Sequence, residues 1–231
     1  MSIDDKIKKS IREDLGLPSD EKTALAEAYV TQAKKFDLAT EFLSSKLKRA
    51  RQRGFEKLVK GLNDISAKLD TASREDADEH SSEFRSLKID ESYCLNASFL
   101  RALHFENISD LQSQLTMDSM SFLRLERDFG TFDDWQKDFI ACGMASRSGY
   151  VVTAYNTFLQ RYMNHVIDEE SKHVPIGSHP VIVLDISEGA YYKDYLDDRK
   201  TYIVAMMKEL NWERIEERVR AAEKIARITT K

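Results

Sequence analysis

The stretch VIVLDISEGAYY, residues 181–192, decides the fold, because it passes from an apolar strand into a helix within a few residues. Its first half, residues 181–186, is rich in β-branched residues and apolar enough to form a strand buried on both faces. We expect it to be the central strand of a small sheet. A tyrosine-rich helix is predicted to follow over residues 191–210. The stretch therefore predicts a sheet flanked by helices.

Two kinds of pattern lie outside this stretch. Before about residue 115 the apolar residues recur at helical spacing, interrupted by a polar loop at 71–83, and after it strands and helices alternate. Helices first and a small sheet later indicate an α+β fold of two subdomains. Helices are predicted after Ser19 and over 38–69, 92–105, 131–145 and 211–228, and further strands over 150–155 and 158–166.

The composition excludes several classes of protein. With 42% hydrophobic residues and only 8 Gly and 3 Pro among 231 residues, the chain is neither disordered nor collagen-like. The 40 acidic side chains outnumber the 35 basic ones, so the whole chain has no charge excess that favours nucleic acid. The sequence contains no run of 18 apolar residues, so it predicts no membrane-spanning helix. Cys94 and Cys142 are expected to be reduced and buried, with one disulfide as the alternative.

A basic block marks the helix predicted over 38–69. Its apolar stripe is expected at Leu47, Ala50, Gly54 and Leu58. The opposite side, which we expect to face solvent, is either a solvated surface or a contact for RNA phosphates. This predicted basic face consists of Lys46, Lys48, Arg49, Arg51 and Arg53.

Three blocks in the second half of the chain resemble the C-terminal domain of iron/manganese superoxide dismutases. They are RDFGTF at 127–132, SGY at 148–150, and LDISEGAYY at 184–192, which continues to the Asn-Trp pair at 211–212. The resemblance implies a helical hairpin followed by an α/β domain with a three-stranded antiparallel sheet. It also implies a dismutase-like helical domain at 35–115 and a dismutase-like C-terminal α/β domain at 116–231, and the helical pattern before them predicts an N-terminal helical extension at 1–34.

The resemblance also implies where a metal site would lie. The family binds one iron or manganese ion through three histidines and one aspartate. Asp185 matches the aspartate, but Ala50, Ala97 and Gly189 stand where the histidines should be. Three of four ligands are therefore absent, and we expect no bound metal, no other cofactor, no catalytic residue and no enzymatic activity. The alternative is a rebuilt metal site formed by Asp185 with His173 and His179, although that spacing matches no metal motif.

The same resemblance implies how the chain assembles. The family forms dimers, and Glu188, Tyr191 and Tyr192 match residues at its dimer interface, so we expect a second dismutase-like chain as partner. A heterodimer is favoured over a homodimer, because Gly189 offers Glu188 no side chain. Metal-less relatives imply a structural subunit of the mitochondrial small ribosomal subunit, located in the matrix although no transit peptide is readable. The alternative is an accessory subunit of a respiratory complex or of ATP synthase.

Overall fold

The computed structural model describes residues 28–108 and 113–229. Within these residues two long helices come first, three strands form one sheet, and five shorter helices complete the fold. The helices are α1 (Ser45–Thr71), α2 (Glu83–Asn107), α3 (Met120–Phe129), α4 (Phe132–Ala145), α5 (Glu188–Tyr195), α6 (Arg199–Lys208) and α7 (Trp212–Thr229), and the strands are β1 (Tyr150–Asn156), β2 (Arg161–Ile167) and β3 (Ser178–Asp185).

Serine caps define the start of the two long helices. The Ser44 side chain accepts a hydrogen bond from the Leu47 amide at 3.2 Å, and Ser82 accepts one from the Arg85 amide at 3.1 Å. These caps satisfy amides that a helix end leaves without a carbonyl partner. They place the start of α1 seven residues later, and that of α2 nine residues earlier, than the sequence predicts. The polar loop between the helices is confirmed, whereas residues 28–44 are not helical.

The buried stripe of α1 differs from the predicted one. Leu47, Arg51, Phe55 and Val59 face the interior, so the prediction of Ala50, Gly54 and Leu58 is wrong by one residue. Phe55 explains the difference, since its ring packs edge-on against Phe36 and Phe105 at 5.5 and 6.0 Å. Burying this large ring orients the helix and turns Arg51, one turn earlier, inward with it.

The sheet is antiparallel with the order β2-β1-β3. The prediction that residues 181–186 form the central strand is wrong, because β1 lies in the middle and β3 at an edge. β3 is nevertheless buried along its second half, since α2 and α7 pack against it. Its apolar run therefore reflects the helices that cover it rather than a strand on each side.

The tyrosine-rich segment after β3 forms two helices rather than one. α5 ends at Tyr195, and Leu196 adopts a left-handed φ of 52°, which few non-glycine residues take up. Asp198 then caps α6 by accepting a hydrogen bond from the Thr201 amide at 3.0 Å. The pattern did not predict α3. The helices predicted over 131–145 and 211–228 are confirmed within a residue, as α4 and α7.

The predicted fold class is confirmed: a helical region precedes an α/β domain with a three-stranded antiparallel sheet. The helix start at Ser19 lies outside the described residues, and the domain boundaries stay a prediction. Cys94 and Cys142 are free thiols that are only partly buried. Within residues 28–108 and 113–229, every helix is too short or too polar to cross a bilayer.

Candidate functional site

Asp185 is the centre of the candidate site, at the end of β3 where the chain turns into α5. Its carboxylate has no exposed surface. Its Oδ1 atom accepts hydrogen bonds from the Ser187 amide at 3.0 Å and the Ser187 hydroxyl at 2.6 Å. The Tyr202 hydroxyl donates to the Asp185 carbonyl oxygen at 2.7 Å. The two bonds from Ser187 engage Oδ1 of the carboxylate, and Oδ2 is left for other partners.

Two arginines from the long helices converge on that second oxygen. Arg51 Nη2 of α1 forms an ion pair with Asp185 Oδ2, and Arg101 Nε of α2 lies 3.7 Å from the same oxygen. Both arginine side chains are largely buried. Burial and the nearby positive charge of Arg101 lower the pKa of Arg51 to about 10. Arg51 therefore still carries its charge at neutral pH and neutralises the buried carboxylate.

A neutral histidine completes the interior of the site. His104 of α2 is buried, and its Nδ1 atom lies 3.5 Å from the Asp185 amide, which donates to it. Burial, and after it the positive charge of Arg51, lower the pKa of His104 to about 3. His104 is therefore uncharged at neutral pH and serves the site as a hydrogen-bonding group.

The residues present do not fit an iron or manganese ion. Ala97 is buried and Ala50 partly buried, and neither side chain has a donor atom. A Cβ atom added at Gly189 would lie 3.3 Å from Arg51 Nη1, so a guanidinium fills the space beside that position. Among the described residues, no group of three His, Cys, Asp or Glu side chains is arranged to hold a metal. One carboxylate beside two guanidinium groups is not a metal-binding donor set.

The alternative set of Asp185, His173 and His179 is not brought together. His173 Nδ1 accepts a hydrogen bond from the Glu169 amide at 3.2 Å in the loop after β2. His179 lies near the start of β3, opposite Tyr155 of β1, whereas Asp185 is at the far end of that strand. A strand extends about 3.3 Å per residue, so the two side chains are too far apart to share an ion.

The three residues predicted at a dimer interface differ in their exposure. Glu188 and Tyr192 are exposed on α5. Tyr191 is buried inside the chain, where its ring stacks on Tyr202 at 5.3 Å and its hydroxyl accepts a hydrogen bond from Arg199 Nε at 3.2 Å. The assignment of Tyr191 to a surface is therefore wrong, and the contact with a partner stays a prediction for Glu188 and Tyr192.

The predicted basic face loses one member. Lys46, Arg49 and Arg53 are exposed, and Lys48 is partly exposed. Arg51 is buried against Asp185, so its placement on the solvent side is wrong. We call the remaining four residues, Lys46, Lys48, Arg49 and Arg53, the basic face of α1. Its contact with RNA stays a prediction.

Sequence reasoning missed the arginines and the histidine that surround Asp185. A signal for Arg51 was present, since it lies four residues after Leu47 and four before Phe55, which is the spacing of one helix face. An arginine on such a face is expected to snorkel to solvent unless an acid is buried opposite it. That acid, Asp185, lies 134 residues later in the chain (185 − 51). Nothing in the local pattern pointed to it.

The comparisons with known proteins cover most of the described chain. Residues 119–218 match the family model for the C-terminal domain of iron/manganese superoxide dismutases. The iron superoxide dismutase of Cupriavidus metallidurans is 32% identical over 166 residues, 71% of this chain and 81% of its own length. That of Aquifex pyrophilus is 30% identical over 165 residues, 70% of this chain and 76% of its own length.

These relatives correct one expectation. The prediction that the chain is not an enzyme is contradicted, because relatives with 30 and 32% identity are named superoxide dismutases.

The manganese superoxide dismutase 1 of Halobacterium salinarum is 31% identical over 99 residues, 43% of this chain and 49% of its own length. Identity of 32% over four-fifths of a relative, with the match to the C-terminal domain, means that this chain belongs to the iron/manganese superoxide dismutase family.

Proposed function

We propose that this chain is a structural subunit that binds neighbouring proteins of a large assembly through the dismutase scaffold. The observation that carries the proposal is the ion pair between Arg51 and Asp185, which engages the carboxylate that the family resemblance assigns to metal binding. With Arg101 beside the same oxygen, this interior is organised as a buried salt-bridge cluster that links α1, α2 and β3. Such a cluster supports a role for the scaffold as a rigid body.

Exposed apolar side chains support binding to other proteins. Several such residues lie on α2, and two of them, Leu95 and Phe99, are each about half exposed. On and after α5, Tyr192 and Leu196 are also more than half exposed. Large apolar side chains grouped on a surface are typical of protein interfaces. The exposed large apolar residues of α2 are Ile89, Tyr93, Leu95 and Phe99.

The partners proposed here follow from the family resemblance and the surface charges. The assembly is the mitochondrial small ribosomal subunit, in the matrix, and the adjoining chain is a second dismutase-like protein that contacts Glu188 and Tyr192. The basic face of α1 offers four cations to ribosomal RNA. An accessory role in a respiratory complex or in ATP synthase is the competing assignment.

Purification under low salt with identification of the bound proteins tests the proposal. We expect a tagged chain to co-sediment with small ribosomal subunits and to bring down a dismutase-like partner. The charge-reversal variant Arg49→Glu/Arg53→Glu should reduce co-sedimentation. The matched variant Lys224→Glu/Arg227→Glu, which makes the same charge change on exposed positions of α7, should not reduce it. Sedimentation as a free protein, or with a respiratory complex, would contradict the ribosomal assignment.

A second candidate function is superoxide dismutation, the activity named for the relatives. The 32% identity over 166 residues favours it. The test is a direct assay of the purified chain after incubation with iron or manganese, combined with elemental analysis. Activity together with about one metal ion per chain would establish this function, whatever the sedimentation experiment shows.

A further inference from the structure

We propose that the guanidinium group of Arg51 is the internal cation of this fold, taking the place of a metal ion beside Asp185 and keeping divalent metals out. This inference concerns the interior of the chain and goes beyond the proposed function. Its test does not involve ribosomes, so the role of Arg51 and the proposed function can be disproved independently of each other.

The first support is the burial of the charges. The Asp185 side chain is 0% exposed and that of Arg51 is 10% exposed. A buried carboxylate is tolerated only with a cation or enough hydrogen-bond donors, because transfer of a lone charge from water to the interior costs several kcal/mol. Ser187 satisfies Oδ1, and Arg51 is the group paired with Oδ2. The carboxylate therefore has its counter-ion within the chain.

The second support is the space around the two guanidinium groups. Gly189, one turn after Asp185, would place an added Cβ 3.3 Å from Arg51 Nη1. Gly54 of α1 would place one 3.3 Å from Arg101 Nη1. Contacts this close leave little room for a longer side chain, so glycine at both positions makes space for the arginines. The resemblance puts a metal-binding histidine at position 189. This chain has glycine there, and the guanidinium group of Arg51 lies in the space beside it.

The third support is the sign of the local charge. Arg51 and Arg101 both approach Asp185 Oδ2, so a divalent cation at that oxygen would meet two positive charges. Glu170 is a second buried acid under the influence of Arg101, but burial raises its pKa and disfavours its charged form. His104 Nδ1 is already engaged, because it accepts the hydrogen bond from the Asp185 amide. The cluster therefore repels a metal ion while Arg51 is in place.

The test compares Arg51→Met with Arg53→Met, an exposed arginine on the same helix, by thermal unfolding with and without Mn²⁺. For the unaltered chain we expect Mn²⁺ neither to bind nor to change the melting temperature. Arg51→Met should lower that temperature on the order of 10 °C, because it removes the closer cation of a buried carboxylate and leaves only Arg101, at 3.7 Å. Arg53→Met should shift it by about 1 °C or less.

A second pair of variants keeps the test decisive if Arg51→Met does not fold. Arg51→Lys retains a cation and is expected to fold, and the double variant Arg51→Met/Asp185→Asn, which removes both charges, should be more stable than Arg51→Met. The proposal would be overturned by about one Mn²⁺ ion per unaltered chain in elemental analysis. Equal melting temperatures for Arg51→Met and Arg53→Met would also overturn it, as would a double variant no more stable than Arg51→Met.

Discussion

The indole Nε1 of Trp135 donates a hydrogen bond of 3.0 Å to Thr153 Oγ1, and both side chains are fully buried. Thr153 in turn donates to Asn164 Oδ1 at 2.6 Å. A single hydroxyl thus connects α4 to the central strand and to β2. Trp135 also packs against Phe139 and Trp212, so the bond orients the largest ring of the C-terminal core.

Replacing Thr153 by valine tests this connection. Thr153→Val keeps the shape of the side chain but leaves the indole N–H buried without an acceptor, so we expect a loss of about 1–3 kcal/mol in the free energy of unfolding. Urea denaturation measures it. Thr71→Val changes an exposed hydroxyl at the end of α1 and should alter stability by less than about 0.5 kcal/mol. A Thr153→Val variant as stable as this control would show that the indole finds another partner.

Two glycines are expected to respond to alanine in opposite directions. Gly149 has φ 75°, and an added Cβ would clash with the Ile167 carbonyl oxygen, so Gly149→Ala should cost roughly 3 kcal/mol or more. At Gly61, inside α1, the added Cβ meets Cys94 Sγ at an ordinary 3.7 Å, so Gly61→Ala should stabilise by up to about 1 kcal/mol. Chemical denaturation of both variants measures the change in the free energy of unfolding. Equal changes for the two variants would contradict the expectation that Gly149, directly before β1, admits no side chain.

Leu196 combines a strained backbone with an exposed side chain. Its φ of 52° and ψ of −122° are costly for leucine, and the side chain is 62% exposed. Leu196→Gly should therefore raise the free energy of unfolding by about 1 kcal/mol, the net of relieved strain and added chain entropy. The control is Leu159→Gly, an exposed leucine without a positive φ, which should gain nothing. A destabilised Leu196→Gly variant would mean that the leucine side chain stabilises the turn.

His104 predicts a pH dependence of stability. In the unfolded chain its pKa is near 6.5, and in the fold burial and the charge of Arg51 lower that pKa to about 3. Between these values the unfolded state binds a proton that the folded state does not. Stability is therefore complete above about pH 6.5 and is lost as the pH falls towards 3, by about 1.4 kcal/mol for each pH unit.

The free energy of unfolding measured between pH 4 and 8 checks this slope. His104→Gln should remove its share of the slope, whereas His80→Gln, at an exposed position in the loop before α2, should leave it unchanged. The expectation fails if His104→Gln keeps the full pH dependence of the unaltered chain.

Local patterns predicted the elements whose signals lie within a few residues. The β-type stretch at 150–155 and the acidic and aromatic segment at 131–145 placed β1 and α4 within a residue of where they are. The polar segment at 71–83 separated the long helices as expected. In these places propensity, capping and burial favour the same structure, so a few neighbouring residues are enough to predict the element.

Other features depended on neighbours distant in the chain. The apolar run of β3 looked like a central strand, because burial by helices and burial by strands leave the same composition. The split between α5 and α6 rests on the left-handed backbone at Leu196, which side-chain pattern does not encode. Residues 28–44 carry apolar spacing compatible with a helix but form none, and Gln52 Nε2 of α1 donates to the Lys34 carbonyl at 2.9 Å.

The candidate site shows the same division at the level of single side chains. The sequence alone identified Asp185, through the motif that surrounds it, and showed that positions 50, 97 and 189 have no donor side chains. Only the tertiary structure turned Arg51 inward, because the face that α1 buries is chosen by the fit of Phe55 between Phe36 and Phe105. Arg51 lies on that buried face between Leu47 and Phe55, so its charge is stabilised by a buried acid. Asp185 is that acid.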